Sequence, residues 1–186
     1  MRVRGSQLSE VAEKVLSSRT LIFDYDGVLA PVNVERSKSE VFSEILTPLK
    51  TLSQRFKLVV ASTKDYSFLT RRVDFAHILI CSNGVEVVIG VLPTIPKMPS
   101  SDKLRLFSHL IAKARKLAKH HGMGVEVKKV VIDPLDIPVG ICIDWRRTHL
   151  TRDEVTRIIK PIVRAAEEGG LNVVRYPEQP FIDIFI

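Results

Sequence analysis

No stretch of this sequence stays apolar for anything near the ~20 residues that cross a bilayer. The first 19 residues are amphipathic and lack the apolar block of a secretory signal. Both absences point to the cytoplasm, with no membrane partner expected. The chain has only two cysteines, Cys81 and Cys142, each isolated in an apolar run, so no disulfide framework exists. The two read as buried thiols, with a disulfide between them left open. Asn and Gln are also scarce, at three each, a depletion that fits a thermophilic source. Of 186 residues, 45% are hydrophobic and 26% charged, which excludes disorder and gives enough chain for one domain or two small ones.

Lys and Arg outnumber Asp and Glu by 28 to 21, a net charge of +7, so the surface attracts anions. Phosphorylated small molecules and nucleic acid both qualify. The densest basic cluster, Lys113 to His121, falls on an expected helix whose other face carries Ile111, Ala114, Leu117 and Ala118. A solvated helix face explains it more cheaply than a nucleic-acid site, and no DNA- or RNA-binding motif accompanies it.

The stretch Leu21 to Ala30 concentrates the chemistry. Three apolar residues, Leu21 to Phe23, read as a short buried strand that runs directly into Asp24, Asp26 and Gly27. Residues two apart on an extended chain share a side, so both carboxylates can face one volume beyond the strand's carboxyl end, where open α/β sheets bind ligands. Gly27 permits a sharp turn or close approach to an anion. Two adjacent carboxylates repel, and a bound cation or a proton on one of them relieves the pair. An ordinary acidic turn is the competing reading. A calcium loop fails, because Gly27 at its sixth position would put Ile22 at the first and Asn33 at the twelfth.

Apolar residues at helical spacing predict a helix over 7–18. Ser37 with Glu40 has the pattern of a capping box for a helix running to about Arg55, broken at Pro48 where Thr47 would cap a second helix. Phe56 to Ala61 reads as a strand ending in Ser62, Thr63, Lys64 and Asp65, followed by a helix over Tyr66 to Val73 and a strand over His77 to Cys81. That alternation predicts βαβ units and a parallel sheet. Val85 to Leu92 reads as extended, and Pro93, Pro96 and Pro99 as a linker or crossover. Beyond it the pattern becomes helix 102–121, strand 124–132, strand 139–146, helix 152–168 and strands 171–176 and 181–186. Thr151 and Glu154 form a second capping-box pattern. The order α-β-β-α-β-β describes a separate α+β module.

With these motifs assembled, the sequence resembles the haloacid dehalogenase (HAD) superfamily of phosphatases, in its sugar-phosphatase branch. Residues 23–31, Phe-Asp-Tyr-Asp-Gly-Val-Leu-Ala-Pro, look like the first motif of trehalose-phosphate phosphatases. Ala61-Ser62-Thr63-Lys64 is similar to the second motif of mannosyl-3-phosphoglycerate phosphatases. Ser82-Asn83-Gly84-Val85-Glu86 resembles the exit toward a C2-type cap, and residues 140–146 a cap strand. The resemblance implies an α/β Rossmannoid core over 1–92 and an α+β cap over 93–186. It implies a Mg²⁺-dependent phosphatase for a small phosphorylated metabolite, a sugar phosphate, with Asp24 as nucleophile and Asp26 as acid and base. Ser62, Gly27 and Lys64 would bind phosphate, and Asp24 and Asp26 would hold the metal. The family continues past its cap into two more core strands bearing a lysine and further acids, whereas this sequence ends on Phe181 to Ile186. The core is therefore expected to be incomplete at its C-terminus, for which a truncated gene product, a partner chain supplying the rest, or a second copy at the open edge would each account. A catalytically impaired remnant acting as a binding module is the alternative function.

Overall fold

The structure is a computed structural model and describes residues 19–32, 34–90, 92–94, 99–132 and 135–186. The helix expected over 7–18 lies outside them. The chain divides into two compact units, Met1–Thr94 and Ile95–Ile186.

The first unit is built on a five-stranded sheet in the order β1-β2-β3-β4-β5. Strands β1 (Thr20–Asp24), β2 (Lys57–Ala61) and β3 (Ile78–Cys81) are parallel, as the βαβ pattern predicts. Leu58, Val59 and Val60 of β2 are all buried, the continuous apolar run of an interior parallel strand. In β1 only Leu21 and Phe23 pack on the core, while Ile22 between them is 68% exposed. The strand read as a short buried one is thus half-buried on one face and exposed on the other.

Strands β4 (Glu86–Ile89) and β5 (Leu92–Thr94) extend the sheet antiparallel beyond β3. Pro93, expected in a linker, instead lies in the outer strand β5, where a missing N–H is tolerated.

Helix α1 (Ser43–Ser53) starts later than the Ser37 pattern predicts and runs through Pro48 without interruption. The segment before it is held by other partners. Tyr25 Oη donates to the Ser39 carbonyl at 2.7 Å, Arg72 Nε donates to the same carbonyl at 2.9 Å, and Phe42 N–H donates to the Leu29 carbonyl at 2.9 Å. Only a 3₁₀ turn, Arg36–Lys38, forms where the capping box was expected. Helix α2 is one turn, Tyr66–Leu69, shorter than expected.

The second unit follows the predicted order. Helices α3 (Ser101–His121) and α4 (Arg152–Glu168) accompany a four-stranded antiparallel sheet ordered β6-β7-β9-β8. Its strands are β6 (Gly124–Ile132), β7 (Leu135–Asp144), β8 (Asn172–Arg175) and β9 (Phe181–Phe185). Alternation sends Ile141, Ile143, Ile182 and Ile184 into one core with Phe107 of α3 and Ile162 of α4. Each such burial contributes ~1.5–3 kcal/mol. Asp183 takes the opposite face of β9, where it is buried against Lys128 Nζ at 2.9 Å and the Tyr176 hydroxyl at 3.1 Å. Thr151 and Glu154 form the predicted capping box on α4. Cys81 and Cys142 are free thiols; Cys81 is buried and Cys142 only partly so.

Candidate active site

Parallel pairing sets the geometry. Asp24 stands opposite Ala61 at the carboxyl ends of β1 and β2, so the Asp24–Gly27 turn and the loop from Ser62 leave the same edge of the sheet. Ligands bind at such an edge in open α/β sheets.

The first loop is tight. Leu29 and Ala30 N–H both donate to the Tyr25 carbonyl at 3.0 Å, and Gly27 N–H donates to the Ala30 carbonyl at 2.7 Å. Gly27 has φ +82°, and a Cβ there would lie 2.8 Å from the Val32 methyl. A side chain is therefore refused on two grounds. Tyr25 is wholly buried below the turn, its ring edge-on to Phe68 with centroids 5.4 Å apart. Its burial leaves the flanking Asp24 and Asp26 at the sheet edge.

The Asp24 Oδ1 accepts the Tyr25 N–H at 2.7 Å. Burial of the carboxyl pushes its pKa above the ordinary value, and the neighbouring Asp26 charge adds to the rise, against the lowering effect of that hydrogen bond. Asp26 faces a cation from the second loop, with Lys64 Nζ 3.5 Å from its Oδ1.

The second loop is clamped by the end of β3. Ser62 N–H donates to the Ile80 carbonyl at 2.9 Å, Ser82 N–H to the Lys64 carbonyl at 2.7 Å, and Asn83 N–H to the Ser62 carbonyl at 3.1 Å. The buried Ser62 hydroxyl accepts the Lys64 N–H at 3.1 Å, which leaves its own hydrogen to donate. Asp26 and Lys64 thus meet directly, and Ser62 joins them through the Lys64 backbone. Asp24 and Gly27 lie in the same turn as Asp26.

Two residues that sequence reasoning did not assign complete the support. Asp65 caps α2, accepting from Phe68 N–H at 3.0 Å and the Ser67 hydroxyl at 2.7 Å, while Arg36 Nη2 reaches both its carboxylate oxygens at 2.8 Å. An Asp directly before a short apolar helix was a legible cap signal. Arg36, 29 residues away, gave none.

No group of three or more His, Cys, Asp and Glu gathers among the described residues, so a soft-metal centre has no ligand set there. Two neighbouring carboxylates beside a backbone turn suit a hard cation such as Mg²⁺, which takes one or two carboxylates and keeps several waters.

No family model matches the chain, and no curated protein matches it by sequence. Solved structures do match. The C-terminal domain of a C. albicans trehalose-6-phosphate phosphatase has a TM-score of 0.75 at 16% identity, covering 98% of this chain and 62% of that one. A trehalose-6-phosphate phosphatase related protein has a TM-score of 0.67 at 16% identity, covering 90% and 67%. A HAD subclass IIB sugar phosphatase has a TM-score of 0.51 at 13% identity, covering 90% and 70%. The chain therefore has a HAD-like fold of the trehalose-phosphatase kind, and it spans 62 to 70% of the length of these neighbours.

Proposed function

We propose that the protein hydrolyses a small phosphorylated metabolite, a sugar phosphate, through an aspartyl-phosphate on Asp24. The observation that carries this reading is the parallel register of β1 and β2, which sets the acidic turn beside a serine–lysine loop, with Lys64 on Asp26 at 3.5 Å. Phosphoryl transfer asks mainly for positioning and for charge to offset that of the phosphoryl oxygens.

In this mechanism an Asp24 carboxylate oxygen attacks phosphorus as the bond to the sugar oxygen breaks. Asp26 gives that departing oxygen its proton. The carboxylate left on Asp26 then takes a proton from water, whose oxygen attacks the phosphorus and releases inorganic phosphate, restoring both acids. Ser62 donates a hydrogen bond to a phosphoryl oxygen, and Lys64 supplies positive charge. The turn at Gly27 brings backbone close to the anion. Mg²⁺, held by the Asp24 carboxylate and the Asp26 backbone carbonyl, would neutralise charge developing on the phosphoryl group.

The test is phosphate release from a panel of sugar phosphates with Mg²⁺. Wild type should turn over, Asp24→Asn should abolish release, and Asp26→Asn should lose ~10²–10⁴-fold in rate. Equal release by wild type and Asp24→Asn would remove Asp24 from the mechanism. No turnover with any divalent metal, with a phosphate analogue still binding, would favour a non-catalytic binding module.

A further inference from the structure

Glu86 is the first residue of β4, paired across the ladder with Cys81, and it is 1% exposed. One of its carboxylate oxygens has no hydrogen-bond partner. The carboxyl accepts a hydrogen bond from the Tyr66 backbone N–H, on the residue that follows Asp65 at the end of the Ser62–Asp65 loop. The turn leading into Glu86 is itself bound to that loop. Ser82, Asn83 and Gly84 have successive positive φ values of 49°, 59° and 86°, and from this turn Ser82 and Asn83 donate to the carbonyls of Lys64 and Ser62. The hairpin from β3 to β4 therefore grips the loop along its length, with Glu86 at one end of the grip.

The groups facing Glu86 favour no charge on it. Asp65 is the carboxylate nearby, the Cys81 thiol lies across the ladder, and Arg36 is held on Asp65, its Nη2 reaching both carboxylate oxygens. Burial is the larger cause, and together with Asp65 it pushes the Glu86 carboxyl up to about 7, against the lowering effect of the Tyr66 hydrogen bond. An ionised Glu86 would leave one anionic oxygen unpaired in the interior with a second carboxylate adjacent. Admitting water between β4 and the loop would relieve that cost at the expense of the contacts that hold the loop.

We propose that Glu86 is a positioning residue for the phosphate-binding loop: while it is neutral the β3–β4 hairpin stays packed on the loop and keeps Ser62 and Lys64 in the geometry that receives a phosphoryl group, and its ionisation, although it strengthens the Tyr66 hydrogen bond, favours hydration of the buried carboxylate and loosens that packing. This rests on the assignment of Ser62 and Lys64 under the proposed function and makes occupancy of that site proton-controlled. A group titrating near pH 7 is about nine-tenths neutral one unit below and about one-tenth neutral one unit above. If only the neutral form binds, affinity falls ~tenfold from pH 6 to pH 8.

The probe is inorganic sulfate, a tetrahedral dianion throughout that range, added to the ¹⁵N-labelled full chain. In wild type the Ser62, Lys64 and Tyr66 amides should titrate together with a midpoint near pH 7, and sulfate should bind ~tenfold more weakly at pH 8 than at pH 6. In Glu86→Gln, which keeps the acceptor for Tyr66 N–H but cannot ionise, the loop amides should not titrate and the pH 6 affinity should persist at pH 8. Flat loop amides in wild type, the same titration in Glu86→Gln, or no sulfate binding at either pH would overturn the proposal. The ¹³C-carboxyl resonance of Glu86 in wild type gives an answer without any variant, since a midpoint near that of a free glutamate would also overturn it. Loop titration without phosphate release from any sugar phosphate would support the role of Glu86 while removing the phosphatase reading.

Discussion

Gly27 shows at the scale of one residue what the acidic turn demands. Its φ of +82° and the 2.8 Å between the Val32 methyl and the place a Cβ would occupy are separate penalties. Left-handed backbone costs an alanine ~1 kcal/mol, and displacing Val32 adds to that. Gly27→Ala should therefore lower stability by at least ~1 kcal/mol, read as a lower urea midpoint at unchanged slope. An unchanged midpoint would show that the turn relaxes without cost. The glycine, both acids, Ser62 and Lys64 could be picked out from the sequence, because short polar residues after an apolar run are a local pattern. What could not be read was which of them meet. Lys64 reaches Asp26 because β1 and β2 pair in register, and Asp65 is engaged by Arg36 from 29 residues away.

Helix starts make the same point one scale up. Ser37 with Glu40 and Thr151 with Glu154 have the same local spelling, yet only the second becomes a capping box. Thr151 Oγ1 accepts from Glu154 N–H at 3.3 Å, and the Glu154 carboxylate accepts from Thr151 N–H at 2.8 Å. Around Ser37 the competing partners are distant in sequence: Arg72 pairs with Glu40 at 2.8 Å and shares the Ser39 carbonyl with Tyr25. Tertiary hydrogen bonds outweigh a cap worth ~1 kcal/mol. Thr151→Ala should accordingly cost ~1 kcal/mol in thermal or urea unfolding, whereas Ser37→Ala should cost nothing measurable. Comparable losses from both would contradict these cap assignments.

At the scale of the molecule, the described residues form two hydrophobic cores. One draws its fully buried residues from Tyr25 to Val88, the other from Phe107 to Ile184. Because the described buried residues of each core all come from its own unit, residues 95–186 expressed alone should fold. A sharp, cooperative melting transition and dispersed amide resonances would bear this out, and a molten fragment would refute it. The sequence by itself determined the parallel strands β1 to β3, the α-β-β-α-β-β order of the second unit and the residues that could carry chemistry, because hydrophobic period and turn chemistry act over a few neighbours. Only the tertiary structure decided that β4 turns back antiparallel onto β3 and β5 onto β4, that Lys64 lies on Asp26, and that Glu86 is buried with an oxygen unpaired. Strand register, ion-pair partners and burial depend on segments far apart in the chain, which local pattern does not encode.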